Sequence, residues 1–148
     1  MIRKIQSTPI WMAVMTLLIC ACALGGCSSG AKPQAEAEGE EAIARTEFTG
    51  RIENFFEYEP LKAGKPSQFL IHLTDLTDGS PVEKAEVKLT VRAKGGGAIG
   101  QTTAKVGKVT GIYVAEVTIP KAGDYDIEFH VRSLKLDERI PLTDFKVE

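Results

Sequence analysis

Cysteine, methionine and tryptophan are all absent beyond residue 27 of this 148-residue chain. Disulfides are therefore excluded beyond that point, and so are the thioether and thiolate sites that select monovalent copper. A formal net charge of -2 excludes a strongly basic, nucleic-acid-binding surface. The length suits one ordinary domain, so its stability must come from a single apolar core.

The motifs of common enzyme classes are missing as well. The sequence has no nucleophile elbow, no metalloprotease helix motif and no phosphate-binding glycine loop. The glycine run at 95–97 has neither a helical pattern nor a Lys-Ser/Thr pair after it, which favours a hairpin turn. We therefore predict a protein that is not an enzyme.

The first 27 positions hold no Asp or Glu and have the layout of a secretory signal. Arg3 and Lys4 form a positive start, an apolar run extends from Ile10 to Leu24, and small residues follow. The run is too short for a comfortable membrane span. Residues 1–26 are thus predicted to be a signal peptide that is removed on export.

Leu24, Gly25 and Gly26 stand directly before Cys27, and this arrangement resembles the lipobox of bacterial lipoproteins. The resemblance implies that the Cys27 thiol carries diacylglycerol and that its amino group is acylated. Two or three acyl chains hold a protein stably on a membrane where one does not. Ser28, in place of an aspartate, implies the periplasmic side of the outer membrane, with the periplasmic side of the inner membrane as the alternative.

In residues 27–44 the lipidated cysteine is followed by the acidic run SSGAKPQAEAEGEEAIA. This run has four glutamates and few branched or aromatic residues, so it cannot bury enough apolar surface to order itself. We predict a flexible tether here and a folded domain over residues 45–148.

Apolar and polar residues alternate in short runs within 45–148, which is the pattern of half-buried strands. Val87, Leu89 and Val91, for example, share one parity, while Lys88 and Thr90 share the other. The pattern predicts strands at 53–58, 68–75, 85–93, 99–105, 113–119, 125–131 and 141–147. Such strands between Gly and Pro turns predict an all-β, two-sheet antiparallel sandwich, with a small closed barrel as the alternative.

Tyr125 follows a glycine turn at Gly123 and begins a late strand. This placement resembles the tyrosine corner of immunoglobulin-like domains, in which the hydroxyl bonds a backbone group a few residues upstream. Ile127 would take the place of the second cysteine of such domains. The sandwich is accordingly predicted to be immunoglobulin-like.

The segments FFEYEPLKAGKPSQFLIHLTDLTDGSPVEKAEVKLTV (55–91) and GIYVAEVTIPKAGDYDIEFHV (111–131) are similar to one known module. They resemble the immunoglobulin-like amino-terminal domain of periplasmic adaptor subunits, or membrane fusion proteins, of heavy-metal efflux pumps of the resistance-nodulation-division class. The similarity covers about residues 47–147. The barrel, lipoyl-like domain and helical hairpin of such adaptors have no counterpart in the sequence, so the resemblance implies a free-standing accessory domain.

The association with metal efflux directs attention to the two histidines, His72 and His130. Both fall on the solvent-facing parity of their strands, and immunoglobulin topology puts those strands in opposite sheets, so the two imidazoles would not share an ion. His130 with Asp126 and Glu128 offers a weak divalent-cation site. The alternative is that these side chains are simply solvated.

A recognition surface is predicted around Phe55, Glu57 and Glu59, where aromatic residues precede a proline. Such a strand would be an exposed edge that pairs with another chain. The alternative is that the neighbouring Phe56 and Tyr58 fill the core.

Together these observations predict a lipid-anchored, periplasm-facing, non-catalytic binding or accessory module. Its expected partners are the membrane and an efflux adaptor or another envelope protein, and not nucleic acid. Apart from the acyl chains on Cys27, no cofactor is expected. A periplasmic protein that sequesters a divalent metal and a structural envelope lipoprotein are the alternatives.

Overall fold

The structure, a computed structural model, describes residues 41–148. The predicted signal peptide (1–26), the lipobox, Cys27 and most of the tether lie outside the described residues. Within 41–148, no helix reaches the length and apolarity needed to cross a bilayer. The strands of this part of the chain are β1 (Ile43–Phe48), β2 (Ile52–Tyr58), β3 (Pro66–Asp75), β4 (Glu86–Ala93), β5 (Ala98–Thr103), β6 (Lys105–Val106), β7 (Ile112–Thr118), β8 (Gly123–Arg132) and β9 (Asp137–Val147).

Two antiparallel sheets contain these strands. Sheet A has the order β1-β2-β3-β7-β6, and sheet B has the order β5-β4-β8-β9. The chain passes from sheet A to sheet B between β3 and β4, returns after β5, and passes to sheet B again between β7 and β8. This crossing pattern is that of an immunoglobulin-like sandwich. The predicted two-sheet architecture is confirmed, and the closed-barrel alternative is wrong.

The core lies between the sheets because each long strand turns one parity of its side chains inward. Phe56 and Phe69 from sheet A and Phe129 and Phe145 from sheet B are all fully buried. The ring centres of Phe56 and Phe129 are 4.8 Å apart, and those of Phe69 and Phe145 are 6.3 Å apart. Aromatic contacts of this kind hold the two sheets face to face.

Tyr125 forms the predicted tyrosine corner. Its hydroxyl donates to the Lys121 carbonyl at 2.8 Å, and Ile127 is fully buried at the position expected for the second cysteine. A second tyrosine, Tyr113 on β7, donates its hydroxyl hydrogen to the Val82 carbonyl at 2.8 Å. That bond fixes the connection between β3 and β4 against sheet A.

β1 begins at Ile43, two residues inside the segment predicted as tether. It pairs along its whole length with β2. The pattern did not predict this strand because Arg45 occupies its inward-facing parity. The Arg45 guanidinium lies 5.0 Å from the centre of the Phe145 ring and donates to the Thr143 carbonyl at 3.3 Å. A charged side chain thus closes the core where the edges of the two sheets meet.

The strand predicted over 99–105 is divided between the two sheets. β5 pairs with β4 in sheet B, whereas the two-residue β6 pairs with β7 in sheet A. The chain changes sheets at Ala104, whose amide donates to the Val87 carbonyl at 2.8 Å. An alternating pattern does not mark such a crossing, since five of the six residues of β5 and both residues of β6 are exposed.

Candidate binding face

The outer face of sheet A carries a group of half-buried apolar side chains. Phe55 on β2 lies opposite His72 on β3, which in turn lies opposite Ile112 on β7. Leu70 and Val114 form the next row of the same face. We call these five residues the sheet A patch. They are neighbours because cross-strand pairs on one face of an antiparallel sheet stand about 5 Å apart.

His72 occupies the middle of the sheet A patch. Its ring meets Phe55 edge to face, with ring centres 5.3 Å apart at 68°. Its Nε2 is shielded from solvent and has no hydrogen-bond partner among the described residues. A buried polar atom without a partner costs free energy, so this nitrogen is an unusual group at the centre of the patch.

Carboxylates flank the sheet A patch on the same face. Glu57 lies opposite Leu70 across the β2–β3 pair, Glu53 lies opposite Thr74, and Glu116 lies opposite Gln68. Lys105 on β6 lies opposite Val114 on this face as well. The face therefore has an apolar centre and a charged border in which carboxylates outnumber the one lysine. That distribution resembles a protein contact surface, in which apolar residues occupy the centre and polar residues the rim.

The outer face of sheet B is built from charged pairs. Glu86 accepts hydrogen bonds from Arg132 at 3.0 Å and from Lys88 at 2.9 Å. The bond from Lys88 is the main reason that the pKa of Glu86 is lowered. These side chains satisfy one another within the molecule and need no partner.

The predicted metal ligands are distributed over both faces. His72 lies in sheet A and His130 in sheet B, as expected. His130 Nε2 is 2.6 Å from Asp137 Oδ1, and this hydrogen bond is the main cause of the lowered pKa of Asp137. Glu128 binds Arg139 at 2.8 Å instead. Within residues 41–148 no group of three or more His, Cys, Asp or Glu side chains could hold a metal ion, so metal binding stays a prediction.

The hypothesis that Phe55, Glu57 and Glu59 form an exposed edge is wrong. β2 is bonded on both sides, to β1 and to β3, so its backbone groups have no free side for another chain. Phe55 and Glu57 point out of the outer face of sheet A instead, and Glu59 follows the end of the strand. The alternative reading of the neighbouring aromatics is confirmed, since Phe56 and Tyr58 belong to the core.

Leu70, Ile112 and Val114 are the binding-face residues that the sequence did not single out. Their signal is present, however, because each stands beside an inward-facing apolar residue of the same strand. Apolar residues on both parities of a strand indicate that both of its faces are covered. Within the described residues, only the inner face of sheet A is covered, by sheet B. The outward-facing apolar residues therefore indicate that the outer face of sheet A is a contact surface.

A cleft of about 440 Å³ opens at one end of the sandwich, between the β3–β4 connection and the β8–β9 turn. Asp75 and Asp78 line it, and hydrogen bonds from Thr77 and from Ser80, respectively, lower the pKa values of their carboxyl groups. These carboxylates are thus occupied in stabilising their own turn. The cleft is less suited to a ligand than the sheet A patch.

A family model described as YtkA-like matches residues 52–130, from β2 to β8. No curated protein and no solved structure matches the chain at a significant level. The resemblance to efflux adaptor domains is therefore not confirmed. All five residues of the sheet A patch fall within the matched segment, which spans more than half of the sequence. The chain belongs to the YtkA-like family.

Proposed function

We propose that this protein is a non-catalytic binding module of the cell envelope that contacts a protein partner through the sheet A patch. The observation that carries the proposal is the outer face of sheet A, where apolar side chains surround a shielded imidazole nitrogen that has no hydrogen-bond partner among residues 41–148. Contiguous apolar groups on a protein surface mark interaction sites. Membership of the YtkA-like family is compatible with a periplasmic accessory domain.

The proposal includes a lipid anchor at Cys27. The layout of residues 1–27 supports it, and a diacylglycerol with a further acyl chain would hold the domain at the periplasmic side of the outer membrane. The Cys27→Ser variant of the full chain should incorporate no labelled fatty acid and should leave the membrane fraction. Labelling that persists in this variant would contradict the anchor without affecting the binding face.

An efflux adaptor, or another envelope protein of a heavy-metal efflux system, is the proposed partner. The resemblance of residues 55–91 and 111–131 to adaptor domains supports this choice, and the mainly acidic border around the sheet A patch favours a partner with lysine or arginine around an apolar centre. Charges at a rim guide association and select partners more than they add affinity.

Capture of envelope proteins by the full chain tests the binding face. Leu70→Lys puts a charge into the centre of the sheet A patch and should abolish capture, because an unpaired charge in a desolvated contact is costly. Glu86→Gln is the matched control, since it changes the net charge by the same amount on the outer face of sheet B. Equal capture by both variants would contradict the proposed face, and no specific capture by the wild type would favour a structural envelope lipoprotein.

Divalent-metal binding on β8 is the second candidate function. Asp126 Oδ1 is shielded and has no hydrogen-bond partner in the part of the chain that the structure describes, and Asp126 shares the outer face of β8 with Glu128 and His130. Titration of the full chain with zinc or divalent copper tests this function. Binding at micromolar concentration that is lost in His130→Ala would establish it, and the absence of such binding would exclude it.

A further inference from the structure

β5 is an edge strand whose second side is open. It is the first strand of sheet B and pairs only with β4, so no strand adjoins its other side in the described part of the chain. Its sequence, AIGQTT, contains no charged residue and no proline. Five of its six residues are exposed, and Ile99 keeps 46% of its surface accessible.

The remaining sheet edges of the described residues are protected. β1 points Arg45 inward, and β6 is only two residues long. β9 contains Pro141, and its register shifts where Asp144 adopts a φ of 70°. Inward-pointing charges, short strands, prolines and bulges are the devices that prevent edge-to-edge pairing. β5 lacks a charge and a proline, and its one irregularity lies opposite Val91 and Arg92, which leaves the pairs from Gly100 to Thr103 regular.

We propose that β5 pairs antiparallel with β5 of a second copy of this chain and so joins two B sheets into one of eight strands. Strand addition takes its affinity from main-chain hydrogen bonds and its specificity from side-chain pockets. β5 has no charged side chain that would select a foreign strand of opposite charge. A strand of the same composition is therefore the partner that it fits best.

The two-fold axis of such a dimer would pass near Gln101. Outward-facing residues must lie opposite outward-facing residues, because a slip of one position exchanges the faces of a sheet. A register centred on Gln101 satisfies this rule and puts Gly100 opposite Thr102 of the second copy, within the regular part of β5. Every opposed pair is then uncharged, so self-pairing meets no repulsion between like charges.

This pairing does not depend on the proposed function. β5 belongs to sheet B, whereas the binding face is the outer face of sheet A. If the chain is also anchored by lipid, confinement to one membrane would raise the local concentration of neighbouring copies. A modest edge-to-edge affinity would suffice under those conditions.

A charge-swap experiment at Gln101 tests the proposal. The full chain in detergent should form a dimer by sedimentation and native mass spectrometry as its concentration rises to about 1 mM. Gln101→Lys and Gln101→Glu should each raise the dissociation constant about fivefold or more, because like charges would then stand opposite each other. An equimolar mixture of the two variants should restore association, since both have lost the same hydrogen bond to Thr90 and differ only in sign.

Thr46→Lys is the matched control, because it adds the same charge to an exposed position on the edge strand β1. It should leave dimerisation unchanged. A wild-type chain that is monomeric over the whole range would overturn the proposal. The proposal would also be overturned if Gln101→Lys and Thr46→Lys raised the dissociation constant of the dimer equally. The same holds if the mixture of Gln101→Lys and Gln101→Glu associated no more tightly than either variant alone. Circular dichroism of each variant shows whether the sandwich is retained.

Discussion

The outer faces of the two sheets belong to one sandwich and meet solvent in different ways. On sheet B, Glu128 binds Arg139 at 2.8 Å and His130 binds Asp137 at 2.6 Å, so hydrogen-bonded polar pairs cover much of the face. On sheet A, the corresponding rows hold half-buried apolar side chains around His72, whose Nε2 has no hydrogen-bond partner within residues 41–148. The first face is built largely of paired polar groups, with Asp126 Oδ1 as an exception, and the second has an apolar centre.

This difference separates the requirements of the fold from those of function. Both sheets bury their inward parity equally well, which is all that the sandwich requires. The sandwich does not require any particular residue at the outward-facing positions. In sheet A several of these positions hold apolar residues that are only half-buried and contribute little to the core. The inner face of sheet A also holds Asn54, a fully buried amide whose two polar atoms have no hydrogen-bond partner among residues 41–148. In this part of the chain, sheet A thus contains two residues with shielded, unpartnered polar atoms, His72 and Asn54, and sheet B contains one, Asp126.

The largest expected effect compares neighbouring residues of β2. Phe56→Ala should lower the free energy of unfolding by about 3–5 kcal/mol, because it leaves a cavity between the sheets. Phe55→Ala should lower the free energy of unfolding by about 1 kcal/mol, since this variant loses mainly the ring contact with His72. Urea denaturation of both variants measures the difference. Equal losses would mean that the sheet A patch is part of the core and not a surface.

The next effect concerns the buried amide of sheet A. Asn54→Leu should raise the free energy of unfolding by about 1–3 kcal/mol, because it replaces unbonded polar atoms by an apolar side chain of similar size. Asn54→Ala serves as the control for the volume of the site. If Asn54→Leu is destabilised in urea, the amide is hydrogen-bonded and sheet A is less exceptional than we infer.

A smaller effect is expected at the tyrosine corner, which borders the inner face of sheet B. Tyr125→Phe removes only the bond from the hydroxyl to the Lys121 carbonyl. The free energy of unfolding should fall by about 0.5–1.5 kcal/mol, the usual worth of one hydrogen bond. Thermal unfolding measures this change, and an unchanged midpoint would show that the corner does not stabilise the domain.

The smallest effect is the dependence of stability on pH that arises from sheet B. The pKa values of Asp137 and Glu86 are lowered from 3.8 and 4.5, so both carboxylates stabilise the fold above those values. Their contribution should be lost as the pH falls through the lower pKa values of the folded state. Asp137→Asn and Glu86→Gln should each make stability less dependent on pH in this acid range. High salt should reduce the difference from wild type, because it screens surface pairs.

Alternation and turn residues were enough to predict the sandwich. The inward parity of β4 and β8 is apolar throughout, and the glycine turn before Tyr125 identified its corner. β1 was not predicted because Arg45, a charged residue, occupies one of its inward-facing positions. Only the folded structure shows that the Arg45 guanidinium contacts the Phe145 ring and the Thr143 carbonyl. Contacts with residues far along the chain accommodate the charged side chain of such a strand, and the local pattern of apolar residues does not predict those contacts.

The binding face was predicted only in part. Phe55 and Glu57 were identified as a recognition surface, but as an edge, since sequence alone does not show that β1 pairs with β2. Leu70, Ile112 and Val114 come from strands that are distant along the chain and adjacent only in the sheet. The order of strands, and not any motif, creates the sheet A patch.

Site-specific photo-crosslinking in intact cells tests the central claim most directly. A photoreactive residue at position 70 lies in the sheet A patch, and one at position 88 lies on the charged outer face of sheet B. We predict a discrete cross-linked product from position 70 that disappears when Phe55→Lys is added, and none from position 88. A product of equal yield from both positions, or from position 88 alone, would contradict the assignment of the binding face to sheet A.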